Sequence, residues 1–384
     1  MRRHDALAAL AAVAGDALAV VNLANTATEW RAVRPGDANL LCVGMGMVSP
    51  YALGLALALP HRSVLALDGD GGLLFDPGAL GVIAEQNPRN LRVIVFDNGG
   101  YVSTGPLAVT ASQSGRGVSI AALARAYGIE RVWDVADPGA LVEAFKAAQG
   151  CGGPAVIVAR TDTAQAFVGA LSMDLKENKY RFLRHVEAIE SRALLKPSGK
   201  EHGAKAPADP ASTVSAEDGF ATALHGALRD NGVEVVAGLP CSGLSAAQGL
   251  CMADPAMRYV SVAHEGTAFG VCAGSWLGGR RSAALVENFG LFAGVYHLLR
   301  GHASHGVPTL IVAEWRGDTG DQEFFAETGE LTVPILQAMR VNFAIVSRVD
   351  ELHVAVRDAY RWMDACLRPF ALLPRFELTR PRAG

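Results

Sequence analysis

Two short, glycine-rich acidic turns near the start of the chain each follow directly after a continuous apolar run. A Gly-Asp-Gly-Gly turn at residues 69–72 follows the run 64–67, and an Asp-Asn-Gly-Gly-Tyr turn at 97–101 follows the run 91–96. Residues 77–86, between the two turns, have the composition of a helix. Parallel strands joined by such a crossover helix open their carboxyl ends into a shared crevice. The pattern therefore favours a parallel α/β sheet with a binding site at its carboxyl edge.

The side chains of the two turns predict what that crevice binds. Asp70 and Asn98 each place an oxygen at the end of a predicted strand, where both oxygens would converge on one hard cation. The glycines around them let the backbone approach a phosphate closely. Asp70 alone could instead cap a helix or a turn. With Asn98 in register, we interpret the pair as a site for magnesium and a diphosphate.

Composition excludes several classes of protein. Of the 384 residues, 50% are hydrophobic and 19% are charged, which is enough apolar mass for two substantial cores. The formal net charge of −4 provides no basic surface for nucleic acid, and no apolar run approaches the ~20 residues needed to cross a bilayer. The six cysteines lack CxxC spacing, which argues against a zinc site or a disulfide framework. We therefore expect a cytoplasmic protein that binds neither nucleic acid nor membranes.

Apolar runs alternate with helical segments along both halves of the chain. The runs are continuous rather than alternating in polarity, which predicts parallel strands buried on both faces. In the first half we predict strands at 18–21, 39–43, 64–67, 92–96 and 155–159, and helices at 49–59, 77–86 and 120–127. In the second half we predict strands at 233–237, 258–263, 282–286 and 309–313, and helices at 267–277 and 292–303. The predicted fold class is α/β, with two doubly wound parallel-sheet domains.

A small, polar and proline-rich stretch separates the two halves. Residues 196–211 consist largely of Lys, Pro, Gly, Ala and Asp, a composition typical of an interdomain linker. We therefore predict a first domain over residues 1–193, a linker over 194–218 and a second domain over 219–384.

Together these features resemble the thiamine diphosphate (ThDP) enzymes. The resemblance implies that the first domain binds the diphosphate of the cofactor, and that Mg²⁺ is held by Asp70, Asn98 and the carbonyl of Gly100. Members of the family usually carry two asparagines in the second turn, whereas the first of these positions is Asp97 here. The cofactor-binding residues that the match implies in these turns are Gly69, Asp70, Gly71, Gly72, Asn98, Gly100 and Tyr101.

The Ala-His-Glu-Gly-Thr-Ala segment at residues 263–268 is a second match, and it implies that the second domain binds the aminopyrimidine ring. Glu265 would be the carboxylate that faces ring atom N1′. A proton held there makes the exocyclic amine acidic enough to become the base that removes the C2 proton of the thiazolium. Burial raises the pKa of a carboxyl group, which suits such a residue to share this proton. Alternatively, Glu265 is a carboxylate at a helix start, stabilised by the helix dipole.

The third match is the Val-Gly-Met-Gly segment at residues 43–46. In the family, a bulky apolar residue at this place wedges between the two rings and enforces a bent cofactor. The match implies that Gly44 and Met45 contact the cofactor, with Met45 as the wedge because methionine is large and adaptable. Met45 could also be an ordinary core residue.

Within the family, the chain is most similar to the sulfopyruvate and phosphonopyruvate decarboxylases, over most of both domains. Two departures matter. The diphosphate domain comes first here, whereas the pyrimidine domain leads in the single-chain relatives. The loop at 287–293 carries Phe289 and Phe292 where the relatives have smaller residues. Because burying an unpaired anion against phenyl rings is costly, we expect a 2-oxo acid with an apolar or modest-sized tail.

Candidate substrate contacts follow the metal turn or lie near the second-domain motifs: Ser103, Thr104, Phe289, Phe292 and Arg316. Arg316 could bind a substrate carboxylate, but the structural alternative, in which it pairs with Asp318, is favoured slightly. The histidines at 297, 302 and 305 are interpreted as surface or structural residues, and Cys241 as an inert thiol.

The resemblance implies a ThDP- and Mg²⁺-dependent enzyme that decarboxylates a 2-oxo acid to an aldehyde. One alternative is a carboligase, which joins the same activated fragment to a second carbonyl compound. Another is a catalytically silent protein of the ThDP fold, against which the intact Glu265 and metal motif argue. Family members place the cofactor between a diphosphate domain and a pyrimidine domain, so we expect a homodimer or homotetramer. Each site could be built within one chain or between two.

Overall fold

The computed structural model describes residues 1–105, 107–109, 117–171, 173–194 and 219–379. The chain divides into two compact units, Met1–Arg192 and Ala193–Gly384. Of the predicted linker at 194–218, all but the first residue lies outside the described residues.

In the first unit, the five predicted apolar runs form five strands of one parallel sheet. The strands are β1 (Leu18–Asn22), β2 (Asn39–Val43), β3 (Val64–Gly69), β4 (Leu91–Asp97), β5 (Arg131–Val135) and β6 (Ala155–Arg160). Among the described residues the sheet has six strands in the order β2-β1-β3-β4-β6-β5, and the recorded pairs are parallel. Strand β5 was not predicted because it is an edge strand with partly exposed side chains, so it lacks an apolar run.

Helices cover both faces of this first sheet. They are α1 (Arg3–Ala11), α2 (Asn25–Val33), α3 (Val48–Ala58), α4 (Asp70–Leu73), α5 (Ala79–Gln86), α6 (Ile120–Ala126), α7 (Pro138–Gln149) and α8 (Leu175–Glu190). Helix α3 is buried over nearly its whole length, which explains why its sequence is apolar on every face. Helix α7 was not predicted, although Asp137 caps it by accepting from the backbone amide of Ala140 at 2.9 Å and Pro138 opens its first turn.

The second unit contains a second parallel sheet. Its strands are β7 (Val233–Gly238), β8 (Arg258–Ser261), β9 (Arg281–Glu287), β10 (Leu310–Glu314), β11 (Asn342–Val346) and β12 (Phe370–Pro374). Its helices are α9 (Phe220–Asp230), α10 (Ser245–Ala253), α11 (Glu265–Leu277), α12 (Asn288–Ala293), α13 (Val295–His297), α14 (Ala326–Ala338), α15 (Leu352–Cys366) and α16 (Phe376–Thr379). The single helix predicted at 292–303 is wrong in detail. The segment is broken into α12, α13 and a π-helical turn, Leu298–Ala303.

The two sheets share one connectivity. The second has the order β11-β12-β10-β9-β7-β8, which is the order of the first sheet read from the opposite edge. In both sheets, the first strand lies between the second and the third. The strand order therefore reverses beside the first strand. Ligands of doubly wound sheets bind at the carboxyl ends of the strands beside such a reversal. The predicted fold class, two doubly wound parallel sheets, is confirmed.

None of the helices in the described part of the chain combines the length and the apolar character that a bilayer crossing requires.

Candidate active site

A pocket opens in the first unit where β1, β3 and β4 end. Most of the predicted cofactor and metal residues of this unit line it, together with one predicted substrate residue: Met45, Gly69, Asp70, Gly71, Gly72, Asn98, Gly100, Tyr101 and Ser103. The predicted residues Gly44 and Thr104 are outside this lining. The structure therefore brings the two acidic turns and the Met45 segment together in one crevice, beside the reversal point of the sheet.

Asp70 is the first residue of α4 and is only 4% exposed. Its Oδ1 accepts a hydrogen bond from the Gly71 amide at 2.8 Å. Its Oδ2 is buried and accepts no hydrogen bond from the described residues. Burial, together with the negative charge of Asp97, raises the pKa of Asp70 to about 6. The buried Oδ2 of Asp70 has no hydrogen-bond donor among the described residues, and a second carboxylate lies close by. Oxygen ligands of this kind suit a hard cation.

The second turn supplies the remaining predicted ligands. Asn98 Oδ1 accepts from the Gly100 amide at 2.9 Å, and Asp97 Oδ1 accepts from the Gly99 amide at 3.3 Å. Gly99 has φ of 70°, in the left-handed region that favours glycine. An amide oxygen carries two lone pairs, so the hydrogen bond from Gly100 leaves Asn98 Oδ1 able to bind a cation as well.

Asn22 and Asp68 form a buried polar pair that supports the first turn, and sequence analysis missed this pair. Asn22, at the end of β1, donates to Asp68 Oδ1 at 2.5 Å, and the same oxygen accepts from the Gly69 amide at 2.8 Å. Burial is the main reason that the pKa of Asp68 is raised to about 7. A Cβ on Gly72 would overlap Asp68 Oδ1 and Asn22 Nδ2, so this turn requires glycine there. A polar residue that ends an apolar run was the available signal for Asn22.

The segment that joins β1 to α2 also lines the pocket and was not predicted. Ala24 has φ of 60° and ψ of −136°, a conformation rare for a residue with a side chain, and it directly precedes α2. Asn25 and Thr26, the first two residues of α2, line the pocket, and the first amides of a helix favour anions. Arg3, at the rim, is held by Glu29 at 2.8 and 3.0 Å. The sequence here has no glycine and carries no recognisable signal.

Glu265 lies in the second unit, where it is half-buried and opens α11. The preceding residue caps the helix, since His264 Nδ1 accepts from the Gly266 amide at 3.1 Å. Gly290, on α12, packs directly against the Glu265 side chain.

Two further carboxylates end the neighbouring strands of this sheet. Glu287 and Glu314 are paired in register at the ends of β9 and β10. Glu314 is buried and accepts from the Gly243 amide at 2.9 Å. Burial, then the charge of Glu314, raises the pKa of Glu287, and Glu265 acts in the same direction. Burial and Glu314 also raise the pKa of the Cys241 thiol, which agrees with the interpretation of this cysteine as inert.

The partner predicted for Arg316 is wrong. The Arg316 guanidinium donates to both carboxylate oxygens of Asp321, at 2.8 and 3.1 Å, and lies 3.7 Å from the centre of the Phe325 ring. Asp318 instead accepts from Arg375 at 2.6 Å. Pairing with Asp321 depends on the loop after β10 turning back on itself, which sequence spacing alone does not reveal.

The predicted aromatic residues of the second unit form one cluster. The Phe289 ring centre lies 6.3 Å from that of Phe292 and 5.8 Å from that of Phe325. Phe289 is 41% exposed. The histidines at 297, 302 and 305 are all buried, so the surface alternative for them is wrong.

The first sheet matches a known protein family. The family described as "Thiamine pyrophosphate enzyme, C-terminal TPP binding domain" matches residues 19–159, which run from β1 to β6 and include every residue of the pocket lining except Arg3.

Two relatives are similar in sequence. A phosphonopyruvate decarboxylase from Streptomyces viridochromogenes is 34% identical over 133 residues, 32% of this chain and 32% of that protein. The sulfopyruvate decarboxylase subunit alpha from Methanothermobacter thermautotrophicus is 30% identical over 122 residues, 32% of this chain and 74% of that subunit. The matched part therefore spans about a third of the phosphonopyruvate decarboxylase but about three quarters of the subunit.

A solved structure resembles the whole chain. Benzoylformate decarboxylase from Polynucleobacter necessarius superposes with a TM-score of 0.57 over 99% of this chain and 100% of that chain, at 13% identity. At this identity the likeness concerns the fold alone.

Proposed function

We propose that this chain, which belongs to the family of ThDP-dependent decarboxylases, converts a 2-oxo acid and a proton into an aldehyde and carbon dioxide. ThDP and Mg²⁺ would be its cofactors. The observation that carries the proposal is the buried Oδ2 of Asp70, which accepts no hydrogen bond from the described residues of a pocket that Asn98 and the glycine turns also line. Such an oxygen is costly to bury unless a cation binds it.

In this proposal the first unit binds the metal and the diphosphate. Asp70, Asn98 and the carbonyl of Gly100 would hold Mg²⁺. Asn25 and Thr26, which line the pocket at the start of α2, would present backbone amides to the diphosphate oxygens. Met45, half-buried in the pocket lining, would pack against the rings of the cofactor and enforce its bent shape.

The second unit would supply the acid–base group. Bound ThDP supplies a nucleophilic carbon and an electron sink for the decarboxylation. Glu265 would hold a proton at N1′ of the aminopyrimidine, which is the step that activates the cofactor. The start of α11 and the adjoining α12 give this carboxylate a defined position.

The surroundings of Glu265 favour a substrate whose tail carries no negative charge. Glu287 and Glu314 already place negative charge at the ends of β9 and β10. The nearby cation, Arg316, is bound by Asp321 and stacked on Phe325. Phe289 and Phe292 add two more phenyl rings to the cluster that contains Phe325. A sulfonate or phosphonate tail beside these carboxylates would lose its hydration, and Arg316 is already paired with Asp321.

The proposal is tested by a screen of 2-oxo acids for carbon dioxide release, with the full chain, ThDP and Mg²⁺. We expect turnover of a 2-oxo acid with an apolar tail, and a specificity constant at least tenfold lower for sulfopyruvate and phosphonopyruvate. Repeating the assay with an acceptor aldehyde separates a decarboxylase from a carboligase, because a carboligase yields a joined product. Absence of carbon dioxide release from every 2-oxo acid, by protein that binds ThDP, would refute the proposed reaction.

A further inference from the structure

The side chain of Glu265 is in unusually close contact with one residue, Gly290. A Cβ on Gly290 would lie 3.0 Å from both Cβ and Cδ of Glu265 and still closer to its Cγ. Cβ atoms essentially never approach other atoms as closely as this one would approach Cγ, so any larger residue at this position would force the Glu265 side chain or the backbone to move.

The need for glycine here concerns space and not backbone conformation. Gly290 lies inside α12 and is not among the residues with positive φ. Alanine has a higher helix propensity than glycine and would be tolerated by such a backbone. The contact with Glu265 is therefore the specific reason for a glycine at this position.

The backbone of α12 has little freedom to withdraw from Glu265. Asn288, at the start of α12, is fully buried and donates to the carbonyl of Arg316 and to Oγ1 of Thr332, both at 2.8 Å. This anchor ties α12 to the loop after β10 and to α14.

Two more close glycine contacts hold the same elements together. A Cβ on Gly266, in the first turn of α11, would overlap the ring of His297 on α13. A Cβ on Gly294, between α12 and α13, would overlap the ring of Phe269 on α11. Because these contacts fix α12 and α13 on α11, a side chain at position 290 would displace the half-buried Glu265 carboxylate rather than the helix.

We propose that Gly290 is a positioning residue, whose missing side chain sets the direction of the Glu265 carboxylate. The loop at residues 287–293 then has two roles: it presents the phenyl rings on one side and holds the acid–base group in place on the other. This inference rests on the proposed function, in which Glu265 faces N1′ of ThDP.

The first test is a double-mutant cycle on the stability of the full chain without cofactor. Gly290→Ala is expected to lower the melting temperature by several degrees, as crowding at a packed contact does. In a Glu265→Ala background, which removes Cγ and Cδ and leaves only the contact with Cβ at 3.0 Å, the same substitution is expected to cost clearly less. An equal loss in both backgrounds would overturn the contact on which the inference depends.

Two other glycines provide matched controls. A Cβ on Gly226, in α9, or on Gly249, in α10, would point into open space, so Gly226→Ala and Gly249→Ala are expected to leave stability unchanged or slightly raised. A loss in these controls as large as that in Gly290→Ala would point to a general intolerance of helix substitutions and would also overturn the inference.

The second test separates positioning from structure in the presence of ThDP. For Gly290→Ala we expect a dissociation constant for ThDP within a few-fold of the parent value, but C2 proton exchange slowed by about 100-fold, the typical effect of displacing a reacting group by about 1 Å. In a Glu265→Gln background Gly290→Ala should slow exchange no further. Unchanged exchange in Gly290→Ala would refute the inference.

Measuring proton exchange and decarboxylation separately also distinguishes the proposed role of Gly290 from the proposed reaction. Proton exchange on bound ThDP requires no 2-oxo acid. A wild-type chain that exchanges the proton but decarboxylates no substrate would contradict the proposed reaction and leave Gly290 in its role. A wild-type chain that binds no ThDP would contradict both.

Discussion

At the scale of single residues, two buried aspartates of the first unit differ in the hydrogen bonds that they accept. Asp70 is buried, and its Oδ2 accepts no hydrogen bond from the described residues. Asp68, two residues earlier, is equally buried but is bonded to Asn22 and to a backbone amide. The difference indicates that Asp68 supports the turn and is the basis for proposing Asp70 as a metal ligand.

We predict that Asp70→Ala and Asp70→Asn abolish measurable binding of ThDP in the presence of Mg²⁺. Removing the charged ligand leaves the diphosphate charge uncompensated. Neither variant should lose stability without cofactor, because an unpaired buried carboxylate is itself unfavourable. Calorimetry and thermal unfolding measure the two effects. Asp16→Ala, whose side chain is 89% exposed, is the matched control and should bind normally. Tight binding by Asp70→Ala would rule out the metal assignment.

The second prediction concerns Glu265. Glu265→Gln should still bind ThDP but exchange the C2 proton at least ~100-fold more slowly, because the amide keeps the shape and a hydrogen bond but cannot hold the proton. Proton exchange followed by NMR is the deciding measurement. Exchange at the parent rate would mean that another residue activates the cofactor.

At the scale of the elements, the segment around α13 carries a buried histidine that makes folding sensitive to acid. His302 lies in the π-helical turn, and its Nδ1 is 3.1 Å from both the Val307 carbonyl and Thr309 Oγ1. Burial, above all, lowers the pKa of His302 to about 4 from an ordinary value of 6.5. Between these two values the unfolded chain binds more protons than the folded one.

We therefore predict that the contribution of His302 to stability is fully present above pH ~6.5 and is lost as the pH falls towards 4. In this window the free energy of unfolding should fall by up to ~1.4 kcal/mol per pH unit through this residue alone. His302→Gln should reduce the slope by that amount, whatever its effect on stability at neutral pH. Urea unfolding at several pH values between about 4.5 and 7.5 measures both slopes. Identical slopes in the variant and the parent would contradict the prediction.

At the scale of the whole molecule, two units of one connectivity divide the proposed chemistry between them. The metal ligands Asp70 and Asn98 belong to the first unit and Glu265 to the second. Repeated domains of this kind leave matching surfaces that a second copy of the chain would cover. One relative is named as subunit alpha of a sulfopyruvate decarboxylase, which indicates that the relative is part of an assembly of chains.

We predict a homodimer or a homotetramer in solution, measurable by light scattering. A fully active monomer would contradict this. Mixing Asp70→Ala chains with Glu265→Gln chains then tests how the sites are composed. If each site joins units of different chains, a mixed dimer contains one intact site and recovers up to half of the parent activity. If verified mixed dimers recover nothing, each site is built within one chain.

Much of this protein follows from its sequence because the relevant signals are local. Continuous apolar runs identified β1 to β4, β6 and β7 to β10, since a strand buried on both faces needs no partner to be recognised. The turns after β3 and β4 identified Asp70 and Asn98, because a crossover of fixed hand brings the ends of such strands together. The edge strands β5 and β11 were not predicted because partial exposure removes the apolar run. Strand β12 was also missed, although it is apolar, largely buried and lies between β11 and β10.

By itself, the sequence determined the fold class and the family, and it predicted the two turns as a metal site; each of these depends on residues close together in the chain. Only the tertiary structure decided which distant residues share the site. It brought Asn22 to Asp68, directed the start of α2 into the pocket, and joined Arg316 to Asp321 instead of Asp318. It also packed Gly290 against Glu265. The physical reason is that such contacts are set by the order of strands in a sheet and by the space between packed helices, neither of which spacing along the chain encodes.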